Sequence, residues 1–277
     1  MKRPHLLTLL TDFGTTDPYV ASMKGVILGI DPQATIVDLT HEVPPQDLYH
    51  AAFVLDSTWR FFPRGTVHVV VVDPGVGGPR RALAAHICEH FFVAPDNGVL
   101  TPVLRATRGT RIVEITHSRY RLPHLSRTFH GRDLFAPVAA HLSRGTPLHR
   151  LGPALTAPLT LNWPQAHLRR STLHGQIIHI DRFGNLITNI TEQALRTLGI
   201  EPHGDPAACL RIRRTRIRGI VRSYCDAPPG SLLSLVGSTG RLEIARRDGS
   251  AAALHRNWKR GTSVTIEKTK TNNPSSP

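Results

Sequence analysis

The segment TVHVVVVDPG, residues 66–75, is the feature that most limits what this chain can fold into. It is almost continuously apolar and β-branched, and it runs directly into Asp73. A strand without alternation between polar and apolar residues is covered on both faces, which is typical of a central strand in a parallel sheet flanked by helices. The segment therefore predicts an α/β fold in which Asp73 stands at the carboxyl end of a central strand.

The rest of the N-terminal half alternates short apolar runs with longer helix-like segments, which is the pattern of βαβ units. The runs HLLTLLTD and ATIVDLT are predicted strands, and residues 18–30 and 46–61 are predicted helices. Ligand groups in open α/β sheets collect beyond the carboxyl ends of the strands. Asp12, Asp73 and Asp96 each follow a predicted strand, so each stands where a site is expected.

Composition changes after the N-terminal half. Four prolines fall between residues 146 and 170, and from residue 171 the apolar runs are short and bounded by turns, as in GQIIHID and SVTIEK. Short strands of this kind are typical of a small barrel. We predict an N-terminal α/β domain over 1–150, a linker over 151–170, an all-β, barrel-like domain over 171–268 and a disordered tail over 269–277.

The chain is strongly basic, with 34 Lys and Arg against 20 Asp and Glu and a formal net charge of +14. Arginines are concentrated in RIRRTRIRGIVR, residues 211–222. Such a run is either a solvated face or an RNA-binding patch. Almost no aromatic residues are interleaved for base stacking, so the solvated face is favoured and nucleic acid is not an expected partner.

Cysteine spacing, histidine spacing and hydropathy bear on disulfides, metal sites and membrane spans. Cys88, Cys209 and Cys225 are far apart and form no C-x-x-C pair, which predicts neither a disulfide framework nor a zinc knuckle. His86 and His90 are four positions apart, but the sequence between them lacks the glutamate arrangement of an H-E-x-x-H site and continues as a strand, so no metal site is predicted. No apolar stretch approaches the roughly 20 residues that span a membrane, and we expect a cytoplasmic protein without a membrane partner.

Three polar motifs of the N-terminal half could carry chemistry. TDFGTTD offers Asp12 and Asp17 at a strand-to-helix turn, a geometry suited to a ribose diol, although Asp17 is also explained as the cap of the helix that begins at Pro18. DPGVGGPRR follows the central strand with a Gly-rich loop that returns Arg80 towards Asp73. FHGRD places His130 in the turn before a helix, as a third member of a polar cluster.

Two motifs of the C-terminal half are compatible with ligand binding. IDRFGNLITN joins two predicted strands through Phe-Gly-Asn, an ordinary turn whose aromatic and amide side chains could also clamp an amino acid or a nucleoside. GSTGRLEIA is explained as a hairpin, but Glu243 interrupts an otherwise apolar strand.

Taken in order, seven segments give the chain a family resemblance from about residue 5 to 265. They are TDFGTTDPYVASMKG, VDLTHEVPPQD, FFPRGTVHVVVVDPGVGGPRR, APDNGVLTPVL, FHGRDLFAPVAAHL, IDRFGNLITNI and GSTGRLEIA. Together they are similar to the hallmark segments of the S-adenosyl-L-methionine hydroxide adenosyltransferases. The resemblance implies an N-terminal α/β sandwich with a mostly parallel sheet, a C-terminal β-barrel, and a homotrimer with active sites at the subunit interfaces.

The resemblance also implies an activity and a set of site residues. The expected reaction is hydrolysis of S-adenosylmethionine at the ribose 5′ carbon to adenosine and L-methionine, without a cofactor. The alternatives are halide-dependent adenosyl transfer, as in the related fluorinase and chlorinase, and non-catalytic binding of adenosine or S-adenosylmethionine. The implied catalytic residues are Asp73, Arg80 and His130, with either Asp73 or His130 as proton acceptor. The implied substrate-binding residues are Asp12, Asp181, Phe183, Asn185, Ser238, Glu243 and Arg246.

Overall fold

The computed structural model describes residues 5–106 and 109–269. The chain forms two compact units that divide between Trp163 and Pro164, within the predicted linker. The predicted tail lies outside the described residues from position 270 onwards. None of the helices in the described ranges is long and apolar enough to cross a membrane.

The first unit is built on a six-stranded sheet with the order β2-β1-β3-β5-β4-β6. Its strands are β1 Leu6–Thr11, β2 Thr35–Thr40, β3 Val67–Val71, β4 Ala82–Ile87, β5 His90–Pro95 and β6 Arg111–Glu114. Its helices are α1 Tyr19–Ile30, α2 Leu48–Thr58, α3 Thr101–Arg105 and α4 Ala136–Ser143. The β1–β2, β1–β3 and β3–β5 pairs are parallel, whereas β4 runs antiparallel to both of its neighbours.

Strand β3 is central and every one of its residues is buried, as its sequence predicts. Val69 and Val71 pack in one hydrophobic cluster with α1 and α4, while Val70 and Val72 pack in a second cluster with α2 and α3. Both faces of the sheet are therefore covered by helices, which confirms the α/β sandwich. Strand β4, which pairs antiparallel with β5, has no counterpart in the sequence-based prediction.

The second unit is an antiparallel eight-stranded sheet with the order β11-β10-β14-β8-β9-β13-β12, with β7 also paired to β8. Its strands are β7 His167–Arg169, β8 Thr172–Ile180, β9 Leu186–Thr191, β10 Asp205–Ile212, β11 Thr215–Ile220, β12 Leu232–Val236, β13 Arg241–Arg246 and β14 Ser263–Lys268. One helix, α5 Glu192–Thr197, follows β9. A bridge between Val221 and Leu235 brings the two ends of the sheet together, so the barrel is nearly closed.

The arginine-rich segment forms the hairpin of β10 and β11. Ile212 and Ile217 point into the barrel core, so the alternating arginines point outwards. Arg211 lies directly opposite Arg216, and both side chains are exposed. No carboxylate in the described part of the chain forms an ion pair with either.

Candidate functional site

Two of the predicted acids meet because their strands are neighbours. Asp12 follows β1 and Asp73 follows β3, and these strands are parallel and adjacent, so their carboxyl ends share one edge of the sheet. A cavity of about 260 Å³ opens there. It is lined by Asp12, Phe13, Gln46, Val71, Asp73, Pro74, Val76, Thr128, Phe129, His130 and Gly131.

The Gly-rich loop after β3 returns Arg80 to Asp73, as predicted. Two turns fold the loop, with the Val76 N–H donating to the Asp73 carbonyl at 3.2 Å and Gly78 donating to Gly75 at 3.1 Å. Arg80 Nε lies 3.0 Å from both carboxylate oxygens of Asp73, and Arg80 Nη2 lies 2.5 Å from Oδ2. Both side chains are almost fully buried, so the geometry of this charge-assisted pair is fixed.

His130 is the third member of the cluster. Arg80 Nη2 donates to His130 Nδ1 at 2.6 Å. Because a guanidinium only donates, Nδ1 must be unprotonated, and the neutral ring then carries its proton on Nε2. Burial lowers the pKa of His130, and the positive charge of Arg80 lowers it further. We refer to Asp73, Arg80 and His130 as the Asp–Arg–His cluster.

Gly77 allows the two loops of this cluster to touch. Its φ of +76° lies in the left-handed region that favours glycine. A Cβ at this position would overlap the Arg127 carbonyl oxygen, in the segment that leads to His130. Residue 77 must therefore lack a side chain for the Asp73 loop to pack against the His130 loop.

Asp12 is held by one backbone contact. The Gln46 N–H donates to Asp12 Oδ2 at 2.8 Å, and Gln46 adopts a φ of +65°, which is uncommon for a residue other than glycine. Asp12 Oδ1 has no hydrogen-bond partner among the described residues and borders the cavity. A carboxylate with one free oxygen is suited to accept a hydrogen bond from a diol.

Two other acids that the sequence singles out, Asp96 and Asp17, do not line this cavity. Asp96 is 1% exposed, pairs with Arg81 at 2.6 Å and accepts the Leu159 N–H at 2.7 Å, so it anchors the segment before the unit boundary. The interpretation of Asp17 as a helix cap is wrong, since α1 has Pro18 at its N-cap and no side-chain capping bond.

In the second unit, Asp181 and Asn185 organise the β8–β9 turn. Asp181 Oδ1 accepts the Phe183 and Asn185 N–H groups at 2.9 and 2.8 Å, and Oδ2 accepts the Asn185 amide at 2.9 Å. Asn185 is buried, while the Phe183 ring at the tip of the turn is 76% exposed. An exposed aromatic ring on a rigid turn offers a flat apolar surface to a ligand.

Glu243 lies close to this turn in an unusual environment. It is 5% exposed, and burial together with the negative charge of Asp181 raises the pKa of Glu243 to about 7. The Tyr224 hydroxyl lies 3.5 Å from Glu243 Oε2. A Cβ on Gly237 would overlap Glu243 Oε1, so residue 237 must be glycine for the carboxyl group to fit.

Ser238 and Arg246, the remaining predicted substrate-binding residues, do not share the buried environment of Glu243. Ser238 is exposed in the β12–β13 turn, next to Gly237. Arg246 donates from Nε to the Gly230 carbonyl at 2.9 Å. It is three positions from Glu243 along β13, so its side chain projects from the opposite face of the strand.

Sequence reasoning missed Gln46 and Tyr224. Gln46 acts through its backbone N–H and has no side-chain signature, although the preceding Pro44-Pro45 pair marks a turn. Tyr224 belongs to a short 3₁₀ turn beyond the arginine-rich hairpin, and no spacing connects it to Glu243. The described residues contain no group of three or more His, Cys, Asp or Glu side chains arranged for a metal ion.

Comparison with known proteins agrees with the resemblance. A relative from Salinispora arenicola named (R)-S-adenosyl-L-methionine hydrolase is 38% identical over 251 residues, which are 90% of this chain and 92% of the relative. A fluorinase from an Actinoplanes species is 30% identical and covers 95% of this chain and 97% of its own. A solved structure of an uncharacterized conserved protein from Thermotoga maritima has a TM-score of 0.88 at 36% identity, covering 95% of this chain and 100% of that one.

Two family profiles match the chain in order. The profile described as the SAM hydroxide adenosyltransferase N-terminal domain covers residues 7–152, and that of the C-terminal domain covers residues 175–265. These matches fall on the α/β unit and on the barrel respectively. The chain therefore belongs to the SAM hydroxide adenosyltransferase family.

Proposed function

We propose that this protein hydrolyses S-adenosylmethionine to adenosine and L-methionine, with water as the nucleophile at the ribose 5′ carbon. The observation that carries the proposal is the Asp–Arg–His cluster: Arg80 joins Asp73 and His130 through short hydrogen bonds, and both partners line one cavity with Asp12. The Salinispora relative, named as a hydrolase of this substrate, supports the same reaction.

The chemistry asks little of the enzyme apart from a positioned water. The sulfonium leaves as a neutral thioether, so the departing methionine needs no general acid. The water oxygen forms the new bond to the 5′ carbon as the carbon–sulfur bond breaks, and the water loses one proton. Holding the water in line with the breaking bond gives the entropic advantage of an intramolecular step.

The hydrogen bonds of the cluster support Asp73 as the proton acceptor. His130 Nδ1 is already engaged by Arg80, and Nε2 carries the ring proton, which the Ser126 backbone also accepts, so neutral His130 can share this proton with the water oxygen but has no free lone pair for the proton of the water. Asp73 Oδ2 accepts from both Nε and Nη2 of Arg80, whereas Oδ1 accepts from Nε alone and keeps a lone pair for a further proton. Asp73 therefore accepts the proton, and His130 orients the water.

The same cluster argues against a halide nucleophile. A carboxylate beside the cavity repels an incoming anion, and the neighbouring Val76 and Gly131 have no hydroxyl groups to replace the water around a halide. Thr128 also lines the cavity, but its hydroxyl lies 3.1 Å from that of Ser126. Water is the nucleophile that this lining favours.

The substrate contacts are divided between the two units of the chain. In the proposed roles, Asp12 holds the ribose diol, and the second unit supplies Asp181, Phe183 and Asn185 for the adenine and methionine ends. Ser238, Glu243 and the main chain near Arg246 provide the remaining contacts. We propose that the chain assembles as a homotrimer in which each active site uses residues of two subunits, that it needs no cofactor, and that it acts in the cytoplasm.

The name of the Salinispora relative specifies the (R) configuration, and we extend this preference to the present protein. The test is incubation with the separate (R) and (S) sulfonium epimers in water enriched in heavy oxygen, followed by chromatography and mass spectrometry. We expect adenosine labelled at its 5′-hydroxyl, formed faster from the (R) epimer. Methylthioadenosine or S-adenosylhomocysteine as the product would contradict hydrolysis, and equal rates for the epimers would contradict only the stereochemical preference.

A further inference from the structure

Asp12 lies between two points at which the loop after β1 is attached to the loop after β2. On one side, Thr11 Oγ1 and His41 Nδ1 share a hydrogen bond of 2.8 Å, and Thr11 Oγ1 also accepts the Phe13 N–H at 3.3 Å. On the other side, the Gly14 N–H donates to the His41 carbonyl at 2.8 Å. A single residue, His41, thus holds both ends of the Asp12–Phe13 pair.

The same second loop also reaches Asp12 directly. His41 and Gln46 belong to one segment, and the Gln46 N–H makes the hydrogen bond to Asp12 Oδ2 described above. Gln46 donates along this direction from a left-handed φ of +65°. Because such a conformation is costly for glutamine, the surrounding contacts must maintain it.

The His41 ring lies against the carboxylate of Asp38. It is 4% exposed, and its Nε2 lies 3.1 Å from Asp38 Oδ1, close enough for an ion pair although not aligned as a hydrogen bond. Asp38 Oδ2 contacts Lys24 Nζ at 2.6 Å. Burial raises the pKa of Asp38, but Lys24 and His41 outweigh that effect and leave the pKa below its ordinary value, so Asp38 stays ionised and holds the ring.

We propose that His41 and Thr11 are positioning residues that set the direction of the Asp12 carboxylate, and through it the affinity for the ribose of the substrate. This inference rests on the proposed function, since it takes Asp12 as the diol acceptor. Neither residue lines the cavity, so their effect on binding passes through Asp12 and Phe13.

The chain offers a matched control on the same strand. Thr8 is fully buried, as is Thr11, and its hydroxyl lies 2.8 Å from a buried histidine, His68. That pair lies within the sheet and does not reach the Asp12 loop. Replacing Thr8 by the isosteric valine removes the same type of hydrogen bond, with a similar cost to stability. It leaves the Thr11–His41 hydrogen bond and the contact from Gln46 to Asp12 intact.

The experiment compares Thr11→Val, Thr11→Ser, His41→Asn and Thr8→Val with the wild type in the full-length protein. We expect Thr11→Val to weaken calorimetric adenosine binding and to raise KM by about tenfold, the effect of about 1.4 kcal/mol, while kcat changes by less than about twofold. Thr11→Ser and His41→Asn keep a polar partner and should bind within about threefold of wild type. Thr8→Val should lower the Tm without changing the adenosine affinity.

Hydrogen exchange at the Gln46 amide separates this inference from the proposed function, because it needs no substrate. Exchange should be faster in Thr11→Val than in Thr8→Val. Equal exchange and equal affinity in the two valine variants would overturn the positioning role even if the wild type hydrolyses S-adenosylmethionine. A second outcome would be faster exchange in Thr11→Val together with a wild-type protein that binds no adenosine. That result would overturn the link to ribose and the proposed function together.

Discussion

Arg80 is the residue on which the geometry of the cluster depends, because its guanidinium contacts both Asp73 and His130. A lysine could not make these contacts together, since its ammonium is a point charge without a planar fork. Asp12 borders the same cavity, but its hydrogen bond comes from the Gln46 N–H and not from Arg80. Binding and chemistry should therefore be separable by single substitutions.

The first prediction concerns this separation. Arg80→Ala and His130→Ala should lower kcat by roughly 100-fold or more and change the substrate dissociation constant little, because Arg80 holds Asp73 and His130 in place and His130 orients the water. Asp12→Ala should mainly weaken binding, because the ribose contact is present in both ground and transition states. Calorimetry beside single-turnover kinetics measures both quantities. Wild-type turnover in Arg80→Ala would show that the cluster is only structural.

His68 supports a second prediction, on stability. Burial lowers the pKa of His68 to about 3, and the neighbouring His90 contributes to the shift. The unfolded chain then binds a proton near pH 6.5 that the native state refuses until about pH 3. The free energy of unfolding should therefore fall by about 1.4 kcal/mol per pH unit as the pH drops through this window, from His68 alone.

Urea unfolding at several pH values between 7 and 4 measures this slope. His68→Gln should lower stability at neutral pH but flatten the dependence on pH by close to one proton. The exposed His149 provides the control, since His149→Gln should leave the slope unchanged. An unchanged slope in His68→Gln would show that other groups control acid unfolding.

At the scale of elements, the loop after β1 carries Asp12 and the loop after β3 carries Asp73. The sequence predicts both loops because the two strands end in polar residues. β3 is predictable because uninterrupted apolar residues leave it no exposed face. β4 is missed because ALAAHI has few β-branched residues and gains its strand character from pairing with β5 and β6. β11 is missed because its arginines hide the inward-facing Ile217 and Ile220.

The third prediction tests the contact between the Asp73 loop and the His130 loop. Gly77→Ala should lower both stability and kcat, since a Cβ at this position would clash with the Arg127 carbonyl. Gly199→Ala is the matched control: Gly199 has a similar φ of +72° but no atom within 4 Å of the added methyl group. It should show the backbone cost alone, of about 1 kcal/mol, and full activity. Equal kcat in the two variants would contradict the role of the contact.

At the scale of the whole molecule, the fold class is predictable from the sequence, whereas the proposed substrate contacts of the barrel cannot be derived from residue spacing alone. Asp181 and Asn185 lie on one turn, but Glu243 and Tyr224 join them only through the pairing of β9 with β13 and the closure of the barrel. Such contacts depend on strand order, which a periodic pattern does not encode. The proposed roles of these residues in the barrel remain predictions from the family.

The fourth prediction addresses assembly. Because the proposed catalytic and barrel residues belong to different units, an inactive Asp73→Ala chain mixed with an inactive Asn185→Ala chain should regain part of the activity in a trimer with shared sites. Native mass spectrometry would verify that mixed trimers form. Mixed trimers without activity would contradict the sharing of sites between subunits.

Glu243 has a calorimetric consequence. With a pKa of about 7, it is close to half protonated at neutral pH before any ligand arrives. A bound ammonium group beside it would favour the ionised form and release protons to the solution. The heat of methionine binding should then vary with the ionisation enthalpy of the buffer, as a comparison of phosphate with Tris would reveal, and Glu243→Gln should abolish the variation. The barrel would in that case exchange protons with its surroundings each time it takes up or loses the amino acid.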